Sequence, residues 1–328
     1  MFAGLLNKGF RGSLALLIII FLVSLILNLF SPLSIDQDQY PNLFYNFLAH
    51  QISSKLLINL TNFLFIGIGV LLVSLIAVNQ EIVDKQNYFP VFLYLLFCVV
   101  GVSPLQITSQ VFTNVFVLFA VYKLLAIYRG DQVYKHIFEA AFWLTVSSYI
   151  TISSIISFPL FFVILLILRP FSWREWMIAF IGFFVPVFMF ECMAYLSNFN
   201  QGYLFHSIAE YFQYLRIPSF SEYYLPLALS LLLLLIISIF YNLLYGFGNT
   251  VKKQRTKTIL LWFLFFSTFG FFASGANSSS IILTYAFPLS FFIGDYLYAL
   301  KQIKITNTIL AVLLFCVLIV YLGQFGVI

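Results

Sequence analysis

Long apolar stretches almost free of charged residues recur from one end of this sequence to the other. A helix needs about 20 apolar residues to cross the hydrocarbon core of a bilayer, and most of these stretches approach that length. Hydrophobic residues make up 62% of the 328 residues and charged residues only 8%. A soluble protein cannot hide that much apolar surface behind so few polar side chains. The sequence therefore predicts an all-α fold, a polytopic transmembrane helix bundle that forms a single integral membrane domain over residues 1–328.

By this length criterion the chain has about eleven spans. They cover residues 13–31, 56–78, 89–104, 107–126, 139–153, 155–168, 176–197, 225–245, 258–276, 281–299 and 306–325. Two consecutive pairs of spans contain short members: 89–104 with 107–126, and 139–153 with 155–168. The alternative for each pair is a helical hairpin that does not cross the membrane fully. The first apolar run is followed by no small-residue cleavage site, so we interpret it as an uncleaved first helix and not as a signal peptide.

The basic residues predict the orientation of these spans. With the N-terminus inside, loops on the inner side receive fourteen of the 16 Lys and Arg residues, and the outer side receives only Lys55 and Arg216. Cytoplasmic loops of membrane proteins carry this excess of positive charge. The sequence therefore predicts an N-terminus inside and a C-terminus outside. Because orientation explains the net charge of +5, that charge is no sign of nucleic-acid binding.

The two longest polar segments, 32–55 and 198–224, both fall on the predicted outer side. Apolar residues recur at helical spacing in each of them, at Leu43, Phe44, Phe47, Leu48 and Ile52 in the first and at Leu204, Phe205, Ile208, Phe212 and Leu215 in the second. This spacing predicts a short amphipathic helix in each segment, lying flat in the membrane interface.

Candidate functional residues concentrate on the same side. The outer segments contain Asp36, Asp38, His50, His206, Glu210 and Arg216. Glu191 lies inside the seventh span, where an ionisable side chain is costly and is a functional candidate by default. Each has a plainer interpretation: solvated loop carboxylates for the two aspartates, a local i,i+4 pair for His206 and Glu210, and pairing within the bundle for Glu191.

Motifs for nucleotide, metalloprotease or serine-hydrolase chemistry are missing from the sequence, which has no Walker, GxGxxG, HExxH, GxSxG or CxxC pattern. The three cysteines, Cys98, Cys192 and Cys316, are far apart and show no disulfide or metal spacing. The sequence therefore predicts no disulfide framework and names no substrate.

The order of these features resembles that of the GT-C glycosyltransferases, integral membrane enzymes that use polyprenyl-linked sugar donors. The sequence SIDQDQY at residues 34–40 stands where that family has an acidic motif on an outer loop, and residues 42–54 stand where it has a flat interfacial helix. Residues 157–170 are similar to the short helix that ends in an inner basic turn in many members. In size and Phe content the chain also looks like uncharacterised inner-membrane proteins of Bacteroidota, which implies the inner (plasma) membrane as its location.

The GT-C resemblance implies a catalytic role for Asp36 or Asp38, as the general base that takes a proton from the acceptor hydroxyl. Arg216 or His206 would neutralise the donor phosphate, and Glu191 would line the cavity for the prenyl chain. His50 and Glu210 are grouped with them as substrate-binding candidates. The cofactor is unknown, and the alternative use of the two aspartates is to hold a divalent cation against a phosphate.

Two non-enzymatic functions stay open at this point. The chain is alternatively a subunit of an envelope or secretion assembly, or a transporter of a lipid or solute. The predicted partners are membrane lipids, a polyprenyl-phosphate-linked substrate for the enzyme, and envelope proteins for the subunit. No nucleic acid is expected.

Overall fold

A computed structural model of the protein describes residues 18–19, 21–26, 55–80, 87–102, 108–128, 132–196, 208, 222–245, 250–274, 278–300 and 302–324. Over these ranges the secondary structure is helical, and they contain no β-strand. The predicted all-α fold is therefore confirmed for this part of the chain.

In the described part of the chain, ten α-helices follow the short helical stretches at 18–19 and 21–26. They are α1 (Lys55–Asn79), α2 (Phe89–Val100), α3 (Ser109–Ala126), α4 (Val133–Ile150), α5 (Ser157–Leu168), α6 (Trp173–Leu196), α7 (Leu225–Tyr245), α8 (Val251–Ser274), α9 (Ser278–Ala299) and α10 (Ile303–Gln324). A 3-10 turn, Ile152–Ile156, leads into α5, and a second one, Glu222–Tyr224, leads into α7.

Six of the described helices are long and apolar enough to cross a membrane, judged by length and composition. They are α1, α3, α6, α7 with its preceding turn, α9 and α10. Two shorter apolar helices, Phe89–Val100 and Ile152–Leu168, belong to the two pairs whose full crossing the sequence leaves open. This helix content is compatible with a multi-pass membrane protein. The eleven crossings, the orientation and the inner membrane stay predictions.

Two helices begin a full turn or more before the predicted apolar spans. The helix α4 starts at Val133, against a predicted start at 139, and α8 starts at Val251, against 258. The added turns contain charged residues, which hydropathy assigns to loops. In the added turns of α8 these charges have partners, as in the hydrogen bond from Lys252 Nζ to the Asn79 carbonyl at 2.6 Å.

The centre of the bundle is the helix α2, in which every residue is buried. It packs between α1 and α9, and a glycine on each neighbour permits the close approach. A Cβ built on Gly69 would lie 2.6 Å from the Tyr94 hydroxyl oxygen, and one on Gly294 would lie 2.7 Å from Pro90 Cγ and 2.8 Å from its backbone nitrogen. A side chain at Gly294 would require movement of the α2 backbone, and one at Gly69 would require movement of the Tyr94 side chain.

The last carbonyls of α2 receive hydrogen bonds from distant parts of the chain. Tyr224 donates its hydroxyl to the Val100 carbonyl and Tyr321 donates to that of Val99, each at 3.4 Å. Gln324 Nε2 in turn donates to the Tyr224 hydroxyl oxygen at 2.9 Å. A helix end within a protein bundle needs such partners because its last four carbonyls have none inside the helix.

The outer helices α6, α7 and α10 present large apolar side chains to the surroundings. In α6, Phe184 and Phe188 are 68% and 71% exposed, while the opposite side packs on α4. Gly182 makes that packing close, since a Cβ there would lie 2.8 Å from the Ala141 Cβ. An apolar surface of this kind is what a lipid-facing helix presents. Pro186 lies inside α6, which continues helical to Leu196.

Candidate functional site

The two ends of the helix bundle differ in chemistry. One end, here called the charged end, gathers the described ion pairs at the last turns of α3, α5 and α9 and the first turns of α4, α6 and α8. The other end, called the polar end, has buried amide and hydroxyl side chains around the first turns of α1, α3 and α9 and the last turn of α4. In the sequence, the predicted outer residues precede α1 or follow α6, two helix ends that belong to the polar end.

The charged end is a structural joint between helices. Lys252 Nζ donates to the Asn79 carbonyl of α1 at 2.6 Å, and Arg255 Nη1 donates to the Leu168 carbonyl of α5 at 3.1 Å. Arg255 also lies over the Tyr128 ring, 5.3 Å from its centroid. Cations suit the C-terminal ends of helices, which carry unsatisfied carbonyls and a partial negative charge. The first turns of α8 thus hold the ends of α1 and α5.

The polar end is joined by hydrogen bonds between uncharged groups. Asn62 Oδ1 accepts the backbone N–H of Thr108 at 3.2 Å, which ties α1 to the start of α3. Gln110 Nε2 donates to Thr284 Oγ1 at 2.9 Å and Asn114 Nδ2 donates to the Leu283 carbonyl at 2.7 Å, which tie α3 to α9. In low-dielectric surroundings such bonds are strong, because the alternative is an unpaired polar group.

Hydroxyl groups extend this layer to α4 and the turn after it. Thr113 and Thr151 share a hydrogen bond of 2.7 Å between their hydroxyl oxygens, and Ser147 donates to Ser154 Oγ at 3.1 Å. All four side chains are buried. The polar end therefore contains buried neutral donors and acceptors that pair with one another across α3, α4 and the turn after α4.

Two buried polar side chains at this end have no hydrogen-bond partner among the described residues. Asn59 is only 1% exposed, and neither its amide nitrogen nor its amide oxygen is hydrogen-bonded within the described ranges. Tyr149 is 6% exposed, and its hydroxyl likewise has no partner there. An unsatisfied buried donor or acceptor costs about 1–3 kcal/mol, so such groups call for a functional explanation.

Glu191 is the one predicted site residue that falls within the described part of the chain. It is partly exposed and lies near the C-terminal end of α6. The ring of its neighbour Phe190 stacks on Tyr149 with 4.2 Å between centroids. The structure thus places Glu191 next in sequence to a residue that packs on Tyr149 at the polar end.

The other predicted site residues, Asp36, Asp38, His50, His206, Glu210 and Arg216, lie outside the described residues. Between His206 and Glu210 one residue is described: Ile208 packs against Ile152 in the turn that follows α4. That contact puts Ile208 at the polar end. The described residues contain no group of three or more His, Cys, Asp or Glu side chains able to hold a metal ion. The predicted alternative, a divalent cation held by Asp36 and Asp38, involves two residues outside the described ranges.

Sequence analysis missed Asn59 and Tyr149. A signal for Asn59 was available, since Asn59 and Asn62 stand three apart in a mostly apolar helix and so share one face of it. Tyr149 gave no such signal, because Tyr is common at the ends of membrane helices for reasons of interface anchoring.

No protein-family model, curated protein or solved structure matches this chain. The function is therefore argued from the chemistry of its own residues.

We predict opposite effects on stability for two neighbouring asparagines. Asn59→Leu removes two unsatisfied buried atoms and should raise the free energy of unfolding by about 1–2 kcal/mol. Asn62→Leu, the matched control on the same face of α1, removes the acceptor for Thr108 N–H and should lower it by a similar amount. Thermal unfolding of the two variants in one detergent measures both effects. A loss of stability in Asn59→Leu equal to that in Asn62→Leu would show that the Asn59 amide is satisfied in the folded protein.

Proposed function

We propose that this chain is a multi-pass inner-membrane protein and a GT-C-like glycosyltransferase that acts on a lipid-linked substrate at the periplasmic face. The observation that carries the proposal is the buried Tyr149, whose ring stacks on Phe190, the neighbour of Glu191, at the end of the bundle where Ile208 packs. In the sequence, the segment that contains Asp36 and Asp38 directly precedes α1, and the first turn of α1 belongs to this end.

The neutral hydrogen-bonding layer at the polar end suits a sugar. A hexose presents hydroxyl groups, each a donor and an acceptor, and the side chains of Asn59 and Tyr149 offer unused donors and acceptors. A site that pairs buried polar groups with substrate hydroxyls discriminates strongly, because a substrate without them leaves those groups unpaired.

The transfer step assigns one role to each predicted residue. The acceptor hydroxyl oxygen attacks the anomeric carbon, the bond from that carbon to the phosphate oxygen breaks, and the phosphate leaves with the electron pair. Asp36 or Asp38 takes the proton from the acceptor hydroxyl. Arg216 or His206 stabilises the charge on the departing phosphate. His50 and Glu210 complete the set of substrate-binding residues.

The apolar surface of α6 offers a path for the prenyl chain. Phe184, Phe188 and Leu196 are exposed on the helix that also contains Glu191. A lipid tail lying along this surface in the bilayer would bring its headgroup to Glu191, which is three residues from Phe188 and seven from Phe184 and so shares their side of the helix. Glu191 then lines the entrance and is a positioning residue, while the chemistry belongs to the outer aspartates.

The test uses the full chain in nanodiscs and polyprenyl-phosphate loaded with a radiolabelled hexose. The change is Asp36→Asn together with Asp38→Asn, and release of label from the lipid to the acceptor fraction of the envelope is measured. Loss of a general base should lower the rate by about a hundredfold or more. Glu222→Gln is the matched control, an exposed carboxylate in the turn before α7, and should transfer at the parent rate. A double variant as fast as the parent would contradict the proposal.

Transport of a polar solute is the second candidate, and it is favoured by the enclosed, unpartnered amide of Asn59. Polar groups inside a membrane bundle often mark a substrate pathway. Under this alternative both aspartates are replaceable, while Glu191→Gln abolishes proton-coupled uptake into proteoliposomes.

The third possibility is a subunit of an envelope assembly. It requires a stable partner that co-purifies in mild detergent and is lost when the exposed aromatic residues of α6 are changed to leucine.

A further inference from the structure

We propose that a cluster at the charged end, formed by Lys253, Lys257, Asp295 and Asn242, binds the phosphate of an anionic membrane lipid. The cluster lies where the last turn of α7, the first turns of α8 and the last turns of α9 meet. It is at the opposite end from the proposed transfer site, so the two proposals stand on separate residues. We call it the Lys253–Asp295 cluster.

The geometry of the cluster leaves one cation incompletely satisfied. Lys257 donates to Asp295 Oδ2 at 2.6 Å and to the Asn242 amide oxygen. Lys253 lies 3.6 Å from Asp295 Oδ1, a distance for an ion pair that is too long for a hydrogen bond. In the described part of the chain the Lys253 ammonium group makes no hydrogen bond, and an ammonium group has three donors to offer.

The charges in the cluster do not balance. Two lysine side chains, 17% and 14% exposed, share the single carboxylate of Asp295, which is 14% exposed. Lys253 and Lys257 are four residues apart on one helix, a spacing at which like charges repel. Ionised side chains that are mostly removed from water need opposite charges or hydrogen bonds to compensate for their lost hydration. A further anion beside Lys253 would supply both the missing charge and the missing hydrogen-bond acceptors.

A lipid phosphate fits this place better than a free anion. Beside Asn242 in the last turns of α7, Phe240, Leu243 and Leu244 are 61%, 63% and 66% exposed. An acyl chain can lie on that apolar surface while its phosphate reaches Lys253. The rings of Tyr241 and Tyr296 meet edge to face 5.5 Å apart between α7 and α9, as expected for aromatic residues at a membrane interface. Basic pockets between membrane helices on the cytoplasmic side bind anionic headgroups in this way.

The experiment compares lipid retention by the full chain and by two lysine variants. Protein purified in mild detergent is equilibrated with phosphatidylcholine vesicles with and without phosphatidylglycerol, and bound lipid is counted by native mass spectrometry. Lys253→Gln should weaken phosphatidylglycerol binding about fivefold, the effect of one basic residue near an anionic lipid surface. Lys304→Gln, an exposed lysine at the start of α10 outside the cluster, is the control and should bind like the parent. Equal retention by Lys253→Gln and Lys304→Gln would overturn the proposal.

A second variant separates binding from a general loss of structure. Asp295 competes with the phosphate for the same cations, so Asp295→Asn should retain more phosphatidylglycerol than the parent, while its thermal stability in phosphatidylcholine alone falls. A variant that loses both stability and lipid shows that Asp295 only holds the helices together, and this contradicts the site. If inorganic phosphate alone protects the parent from heat as fully as phosphatidylglycerol does, the ligand is a free anion and the assignment to a lipid is wrong.

Discussion

Replacing Gly294 by leucine should remove most of the folded protein. A Cβ at Gly294 already approaches the Pro90 backbone nitrogen to 2.8 Å and its ring carbons to 2.7 and 2.9 Å. These atoms belong to the start of α2, which is buried on all sides and cannot turn away as a flexible side chain would. Overpacking a core costs about 1–3 kcal/mol for small additions, and a whole leucine at a helix crossing exceeds that range. Size-exclusion profiles of a fluorescent fusion would record the loss.

Gly67 supplies the control for this substitution. It is also a helical glycine, in α1, but nothing lies within 4 Å of a Cβ built on it. Gly67→Leu should therefore fold, and Gly67→Ala should raise the free energy of unfolding by about 0.5–1 kcal/mol because alanine is the better helix former. If Gly294→Leu gives the same monodisperse profile as Gly67→Leu, α2 and α9 are not in the close contact described above.

The second large effect is expected from breaking the pair of Arg169 with Glu175. Glu175 is 7% exposed in the first turn of α6, and its Oε1 accepts from Arg169 Nη1 at 2.9 Å. Arg169→Met would leave a buried carboxylate without the partner seen in the described structure. Removing one partner of a buried pair costs about 3–5 kcal/mol, and we expect the lower end of that range because Arg169 itself is 38% exposed.

A double-mutant cycle separates this effect from lost packing. Glu175→Gln alone removes the buried charge and should cost less than Arg169→Met. The double variant should recover part of the stability lost in Arg169→Met, because no charge is then left unpaired. Chemical unfolding in one detergent measures all three variants. Strictly additive costs would mean that the two side chains do not interact across the bend between α5 and α6.

Composition and hydropathy were enough to predict the class of fold and the positions of most helices. The predicted spans 56–78 and 225–245 match α1 (Lys55–Asn79) and α7 (Leu225–Tyr245) within a residue or two. Hydropathy reports only the apolar part of a helix, so it missed the charged first turns of α4 and α8. Those turns are stabilised by contacts such as that of Lys252 with the Asn79 carbonyl, far away in sequence.

The candidate site could be predicted only in part, for a related reason. Glu191 was recognisable as an ionisable residue in an apolar span, and recognising it required no knowledge of which residues surround it in the fold. The importance of Asn59 and Tyr149 depends on what surrounds them, since an asparagine is unremarkable until its amide is both buried and unpaired. Burial and hydrogen bonding depend on tertiary packing. For Asp36 and Asp38 the catalytic roles stay predictions.

The short central helix has a consequence for how the protein is made. Its twelve residues span about 18 Å, less than the roughly 30 Å of a bilayer's hydrocarbon core. Pro90 meets Gly294, and the Val99 and Val100 carbonyls are capped by Tyr321 and Tyr224, all from the last third of the chain. During synthesis, α2 emerges long before these partners exist. It is therefore too short to span the bilayer alone, and it reaches its final packing only after the last third of the chain has been made.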